Sequence, residues 1–141
     1  MSKEQYVSFG NSKLLREKGF DEELRTYYNE EGDELELHDD FCDISNSECD
    51  SNYITYLDFY CVRPTQQMAC RWLREEHKID ISVTPDDGSW WIKITELESW
   101  SCVFDGKVLN SDDIKYAYEG DTSTKEGCYE AGLEYVLKNL I

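Results

Sequence analysis

Apolar residues between Met68 and Val83 change their spacing within a few positions, and the change predicts a helix that runs into a strand. Met68, Ala69, Trp72 and Leu73 recur at the three- and four-residue intervals of one helical face. Ile79, Ile81 and Val83 then alternate with Asp80, Ser82 and Thr84, the period of two expected for a strand with one buried face. Pro64 presets φ for helix entry and Thr65 is a good N-cap, so the helix is predicted over residues 66–77. Pro85-Asp86-Asp87-Gly88 has turn composition and should close a hairpin onto residues 90–95, where Trp90, Ile92 and Ile94 face one way and Trp91, Lys93 and Thr95 the other. A third strand over 100–104, turned away by Asp105-Gly106, completes an antiparallel meander. The run Ser123-Thr124-Lys125-Glu126 has capping-box spacing. The helix it predicts, over 124–140, carries Tyr129, Gly132, Leu133, Val136, Leu137 and Leu140 in one stripe.

The first half is patterned more loosely. A helix is expected from the N-cap Ser8 to Lys18, ended by Gly19 in a left-handed conformation with Phe20 packed back on Leu15. Residues 24–28 and 35–37 flank the turn-rich Asn29-Glu30-Glu31-Gly32-Asp33 and predict a hairpin whose apolar face is Tyr28, Leu35 and Leu37. Residues 39–52 have the Ser, Asn and Asp content of a mobile loop, and 53–60 read as a strand or an extended lead into the 66–77 helix. Residues 108–118 show no period. The expected fold is α+β: an antiparallel meander of three or more strands, two helices packed on one face of it, and an N-terminal helix-hairpin extension. Without an internal repeat or a linker, 1–141 is read as one domain, with 1–60 the acidic extension and 61–141 the core.

Charge narrows the function classes. The chain has 31 Asp and Glu against 14 Lys and Arg, a net charge of −17. Residues 26–62 contain no Lys or Arg, while Glu30, Glu31, Asp33, Glu34, Glu36, Asp39, Asp40, Asp43, Glu48, Asp50 and Asp58 all fall there. Such a field repels nucleic acid and anionic membrane and attracts basic protein surfaces. Aromatic residues make up 13% of the chain, which argues for a folded core despite 32% charged residues. Met1 is followed by SKEQYVSFG, without the apolar core of a signal peptide, and no apolar run approaches a membrane span, so a soluble cytoplasmic protein is expected. Cys42, Cys49, Cys61, Cys70, Cys102 and Cys128 lack a C-x-x-C pair and read as reduced, mostly buried thiols.

Candidate chemistry is sparse. His77 near the end of its helix suits capping better than catalysis, and His38 sits beside Asp39 and Asp40 as a loop residue. His38, Cys42, Cys49 and Cys61 are metal-ligand types, but their spacing lacks the paired ligands of compact zinc sites. Residues 43–48 offer oxygen ligands without the glycine of a calcium loop, and Ile54 stands where its bidentate Glu belongs. No nucleophile elbow, phosphate-binding glycine loop or dinucleotide fingerprint is present. No catalytic residue, metal or cofactor is therefore assigned. Trp91 is predicted to face away from the helices, where it and Tyr27, Tyr53 or Tyr56 either form an exposed protein-binding patch or are buried by the N-terminal extension.

Two stretches, PTQQMACRWLREEHKIDISV and EAGLEYVLKNLI, resemble a family of short uncharacterised proteins that recur in gut Bacteroidetes and their phages. The resemblance covers roughly the last eighty residues; the acidic stretch before residue 60 lies outside it. It implies a phage or mobile-element context, hence a host-cell cytoplasm, and brings no activity or site residue. The order helix, three strands, helix also resembles a double-stranded-RNA-binding domain, in topology alone: the helix start at 121–126 is acidic where such domains are basic. The expected function is a non-catalytic interaction module that binds a basic protein surface, one form being a nucleic-acid-mimicking inhibitor of a host defence or DNA/RNA-processing factor. Its expected partner-binding residues are Glu30, Glu31, Asp33, Glu34, Glu36, Asp39, Asp40, Asp43 and Trp91. The alternative is a small metal- or thiol-dependent enzyme using His38, Cys42 and Cys49.

Overall fold

In the computed structural model, which describes residues 5–37, 42–48, 59–86, 89–106 and 124–141, Ser8 caps helix α1 (Phe9–Glu17) by accepting on Oγ from the Asn11 N–H at 3.2 Å. The helix ends as its sequence predicts. Gly19 has φ +94°, its N–H reaches Arg16 O at 3.2 Å, and Phe20 N–H reaches Leu15 O at 2.9 Å, the paired bonds of a Schellman ending. Both Leu15 and Phe20 are buried.

Strand β1 (Thr26–Tyr28) pairs antiparallel with β2 (Glu34–Glu36) and with β3 (Cys61–Val62), giving a sheet of order β2-β1-β3. Asn29 holds the turn between β1 and β2: its Oδ1 accepts from the N–H of Glu31 at 3.0 Å and of Asp33 at 2.9 Å. Gly32 has φ +86° and lies against the Phe9 ring, so a side chain there would meet both backbone strain and a clash. Residues 42–48, expected to belong to a mobile loop, are instead fastened where they are described. Leu24 and Ile44 exchange backbone hydrogen bonds at 2.7 and 2.9 Å, and Ile44 is buried. Asn46, at the start of a 3-10 turn (Asn46–Glu48), donates from Nδ2 to Phe20 O at 2.7 Å and accepts on Oδ1 from Val62 N–H at 2.9 Å. A buried amide that satisfies two otherwise orphaned backbone groups fixes a segment whose composition alone reads as loose.

Helix α2 spans Gln66–His77, as the apolar spacing predicts, but its inner face is turned. Gln66, Ala69, Cys70 and Leu73 are buried, whereas Met68 and Trp72 are only half-buried, a rotation of roughly 80° at 100° per residue. The cause is polar: Gln66 Nε2 donates to Glu126 O at 2.9 Å and Glu130 Oε1 at 3.1 Å, drawing its own side of the helix inward. The indole of Trp72 stacks edge-on with His77, ring centroids 4.7 Å apart.

Strands β4 (Ile79–Asp86), β5 (Ser89–Glu96) and β6 (Ser101–Gly106) form the second antiparallel sheet, order β4-β5-β6. Opposed pairs Ile81 with Ile94 and Val83 with Ile92 bury the apolar face. Three boundaries differ from expectation. Pro85 pairs with Trp90 inside the ladder instead of starting the turn, because β4 is an edge strand and loses nothing by lacking an N–H there. Asp105 and Gly106, expected to turn the chain away, stay paired with Lys93 and Ile92. Trp100 is not in the third strand: it closes the β5–β6 turn at φ +55°, and a bulge opposite Ile94 and Thr95 takes up the register.

Helix α3 (Lys125–Asn139) is capped by Thr124, whose Oγ1 accepts from Gly127 N–H at 3.0 Å, one residue later than the expected Ser123 cap. With Thr124 extended at φ −113°, the third helical position is a glycine and the carboxylate half of a capping box falls out of register. Gly127, Cys128, Glu130 and Ala131 are buried beside the expected stripe residues Gly132, Leu133, Val136 and Leu137, so the inner face is wider than one stripe, while Tyr129 and Leu140 are half-buried. Gly132 brings α3 onto the sheet at Ile81 and Ile92.

Among the described residues the architecture is thus α+β, three helices with two antiparallel three-stranded sheets. It divides into two compact units, Tyr6–Thr65, and Gln66–Ile141 with Met1–Gln5. Among the described residues, no helix is long and apolar enough to cross a membrane.

Candidate functional site

The hairpin of the Tyr6–Thr65 unit concentrates carboxylates on a fixed frame. Its inner strand is held on both faces: Tyr28 is buried and donates from its hydroxyl to Val7 O at 2.7 Å, and Tyr27 is buried against Phe59, centroids 5.6 Å apart. The outer strand and turn carry Glu30, Glu31, Asp33, Glu34 and Glu36, all exposed. Alternation along β2 sends Glu34 and Glu36 to one face about 7 Å apart, two residues of strand rise. The Asn29 side chain holds the turn and also donates to Asp33 Oδ2 at 3.1 Å.

Two of the nine expected partner-binding positions have intramolecular counter-ions. Arg63 lies 3.2 Å from Glu34, its guanidinium held over the Tyr6 ring at 4.1 Å, and Arg25 lies 3.0 Å from Asp43. The more open Arg25–Asp43 pair contributes at most about 1 kcal/mol and releases under competition from another cation, whereas the Arg63 side chain is largely buried. Glu30, Glu31, Asp33 and Glu36 form no ion pair among the described residues. Asp39 and Asp40 lie outside the described residues.

Trp91 belongs to the other unit, on β5. It is half-buried and donates from its indole N–H to Asp105 Oδ1, which ties it to β6. Tyr27 is buried, the second of the two alternatives for the aromatic residues, and Tyr53 and Tyr56 lie outside the described residues. Of the alternative metal set, Cys42 is exposed and Cys61 buried, and His38 and Cys49 lie outside the described residues. No group of three or more His, Cys, Asp or Glu that could hold a metal occurs among the described residues.

Burial pushes the Cys70 pKa up to about 12, so this thiol stays protonated and unreactive. Burial also raises Tyr129, with a smaller contribution from Cys70 beside it. Such a cluster, in which protonation is locked by desolvation, suits a core better than proton transfer at neutral pH. Sequence reasoning missed the exposed Trp100, which it placed in a strand; the polar run Glu96-Leu97-Glu98-Ser99 before it was the available sign that the turn lasts one residue longer. No protein-family model, curated protein or solved structure matches this chain.

Proposed function

We propose that this protein is a non-catalytic interaction module whose acidic hairpin binds a basic surface on a protein partner. The observation that carries the reading is the set Glu30, Glu31, Asp33 and Glu36: exposed, without counter-ions among the described residues, and displayed on a hairpin whose turn and inner strand are fastened by Asn29, Tyr27 and Tyr28. Preorganised like charges lose little entropy on binding and raise the association rate with a cationic partner.

The one-sided carboxylates favour partners that bind nucleic acid, whose basic surfaces are built to receive a dense line of negative charge. In the phage context that the resemblance of the second half implies, the partner would be a host defence or nucleic-acid-processing factor in the host cytoplasm, inhibited by carboxylates lying where phosphates would. Direct nucleic-acid and membrane binding are opposed by the net charge of −17.

Calorimetric titration with a blocked nine-residue arginine-rich peptide tests the contact. Binding at low salt that disappears at high salt, and falls about tenfold or more in a Glu30→Gln/Glu31→Gln/Asp33→Asn/Glu36→Gln variant, is the expected result. Equal binding by that variant would remove the hairpin from the interface.

A further inference from the structure

A second site is built into the other unit, at the corner where α2 enters β4 and the β5–β6 turn returns. A cleft of about 380 Å³ opens there, floored by Ile79, Val103, Leu140 and Ile141, with Glu96 and Glu98 on its wall. That volume is at the small end of ligand sites, room for one or two side chains.

The turn beside it is unusual in backbone and in surface. Trp100 is 78% exposed and has φ +55°, a conformation that bulky L residues rarely adopt. The other non-glycine residue of positive φ among the described residues is Lys78 at +57°, in the cleft wall itself, and its carbonyl accepts from Leu97 N–H at 2.7 Å. Both outliers thus bracket one turn. A tryptophan held out at 78% exposure by a disfavoured backbone gives no burial to the fold, and such outliers cluster where a ligand is clamped.

We propose that this corner docks a short cationic and apolar peptide segment of a protein partner, its aliphatic side chain in the cleft and an arginine on the face of Trp100. Charge selects the cation. Glu98 is two residues before Trp100, at most about 7 Å of chain, and Glu96 is likewise exposed. Aromatic face and carboxylates together recognise a guanidinium by stacking and ion pairing. Lys78 also lines the cleft and keeps its charge, its ammonium donating to Glu75 O at 2.9 Å at the end of α2, but the two glutamates outnumber it. A tryptophan at a turn could also enter a lipid interface, but two flanking carboxylates on a chain of net charge −17 oppose an anionic membrane. The site stands apart from the hairpin reading and holds even if the hairpin binds nothing.

The test uses the full ¹⁵N-labelled chain, with the Trp100 indole signal identified by its loss in Trp100→Phe. The probe is a blocked Arg-Leu-Arg-Leu peptide; the controls are the same peptide with citrulline for arginine, and vesicles of zwitterionic or anionic lipid. A saturable shift of the Trp100 indole with the arginine peptide alone is expected, unchanged in the hairpin charge variant. Read at the Glu98 amide, Trp100→Ala should weaken binding about tenfold. Trp100→Phe should keep part of the affinity, and Glu96→Gln/Glu98→Gln should lose about threefold at low salt. An unmoved indole, an equal response to the citrulline peptide, or a response to vesicles alone would overturn the proposal.

Discussion

Gly132→Ala tests the packing of the second unit most sharply, because an added Cβ there would press on two isoleucine side chains of the sheet. A Cβ on residue 132 would stand 2.8 Å from Ile92 Cδ1 and 3.1 Å from Ile81 Cγ2. Ile92 is fully buried and so has little room to turn aside. Alanine gains about 1 kcal/mol over glycine in a helix interior, while overpacking a close-packed core costs about 1–3 kcal/mol. The net expectation is a loss of about 1 kcal/mol, in a position where propensity alone predicts a gain. Ile92→Val removes the clashing methyl and by itself costs about 0.5–1.5 kcal/mol. In that background Gly132→Ala should become neutral or stabilising, a coupling of about 1 kcal/mol or more. Urea denaturation of the four proteins at equal m-value measures each free energy. Additive effects, or a Gly132→Ala protein more stable than the parent with Ile92 intact, would refute the close approach.

Leu73→Ala should cost about 2–5 kcal/mol, since Leu73 is fully buried, whereas half-buried Trp72→Ala should cost clearly less; thermal midpoints of the two variants give the order. In the native protein iodoacetamide at mildly alkaline pH should modify Cys42 and Cys102 and spare Cys61, Cys70 and Cys128 until denaturant is added, read by mass. The fold holds the Cys70 thiol neutral, with its pKa raised from 9.0 to about 12. Its stabilisation is therefore complete below pH 9 and declines as pH rises toward 12, so Cys70→Ala should flatten the alkaline loss of stability seen in urea titrations; an unchanged slope would contradict it.

Local signals carried most of the architecture. Ser8, Gly19 and Phe20 wrote both ends of α1, and the shift from a helical to an alternating period at Ile79 marked the start of β4, because each depends on neighbours in sequence. What escaped depends on distant partners. The face of α2 turned because Gln66 meets Glu126 and Glu130 some sixty residues away, and Asn46 fastens a polar segment through Phe20 and Val62. Pro85 reads as a turn until the sheet order shows that β4 is an edge. For the site, the exposure of the hairpin carboxylates was legible from the one-sided charge of residues 26–62. The ion pairs of Arg25 and Arg63, the burial of Tyr27 and the display of Trp100 were not, since each is set by tertiary contacts or by a turn one residue longer than its composition indicates.

The central claim, that the acidic hairpin recognises basic protein surfaces, is tested most directly by capture from bacterial lysate on the immobilised chain at low and high salt, beside the Glu30→Gln/Glu31→Gln/Asp33→Asn/Glu36→Gln variant. Strongly basic, nucleic-acid-binding proteins should be retained at low salt, released at high salt and by added duplex DNA, and retained far less by the variant. Retention of partners that are not basic, or of the same proteins by the variant at the same salt, would contradict it.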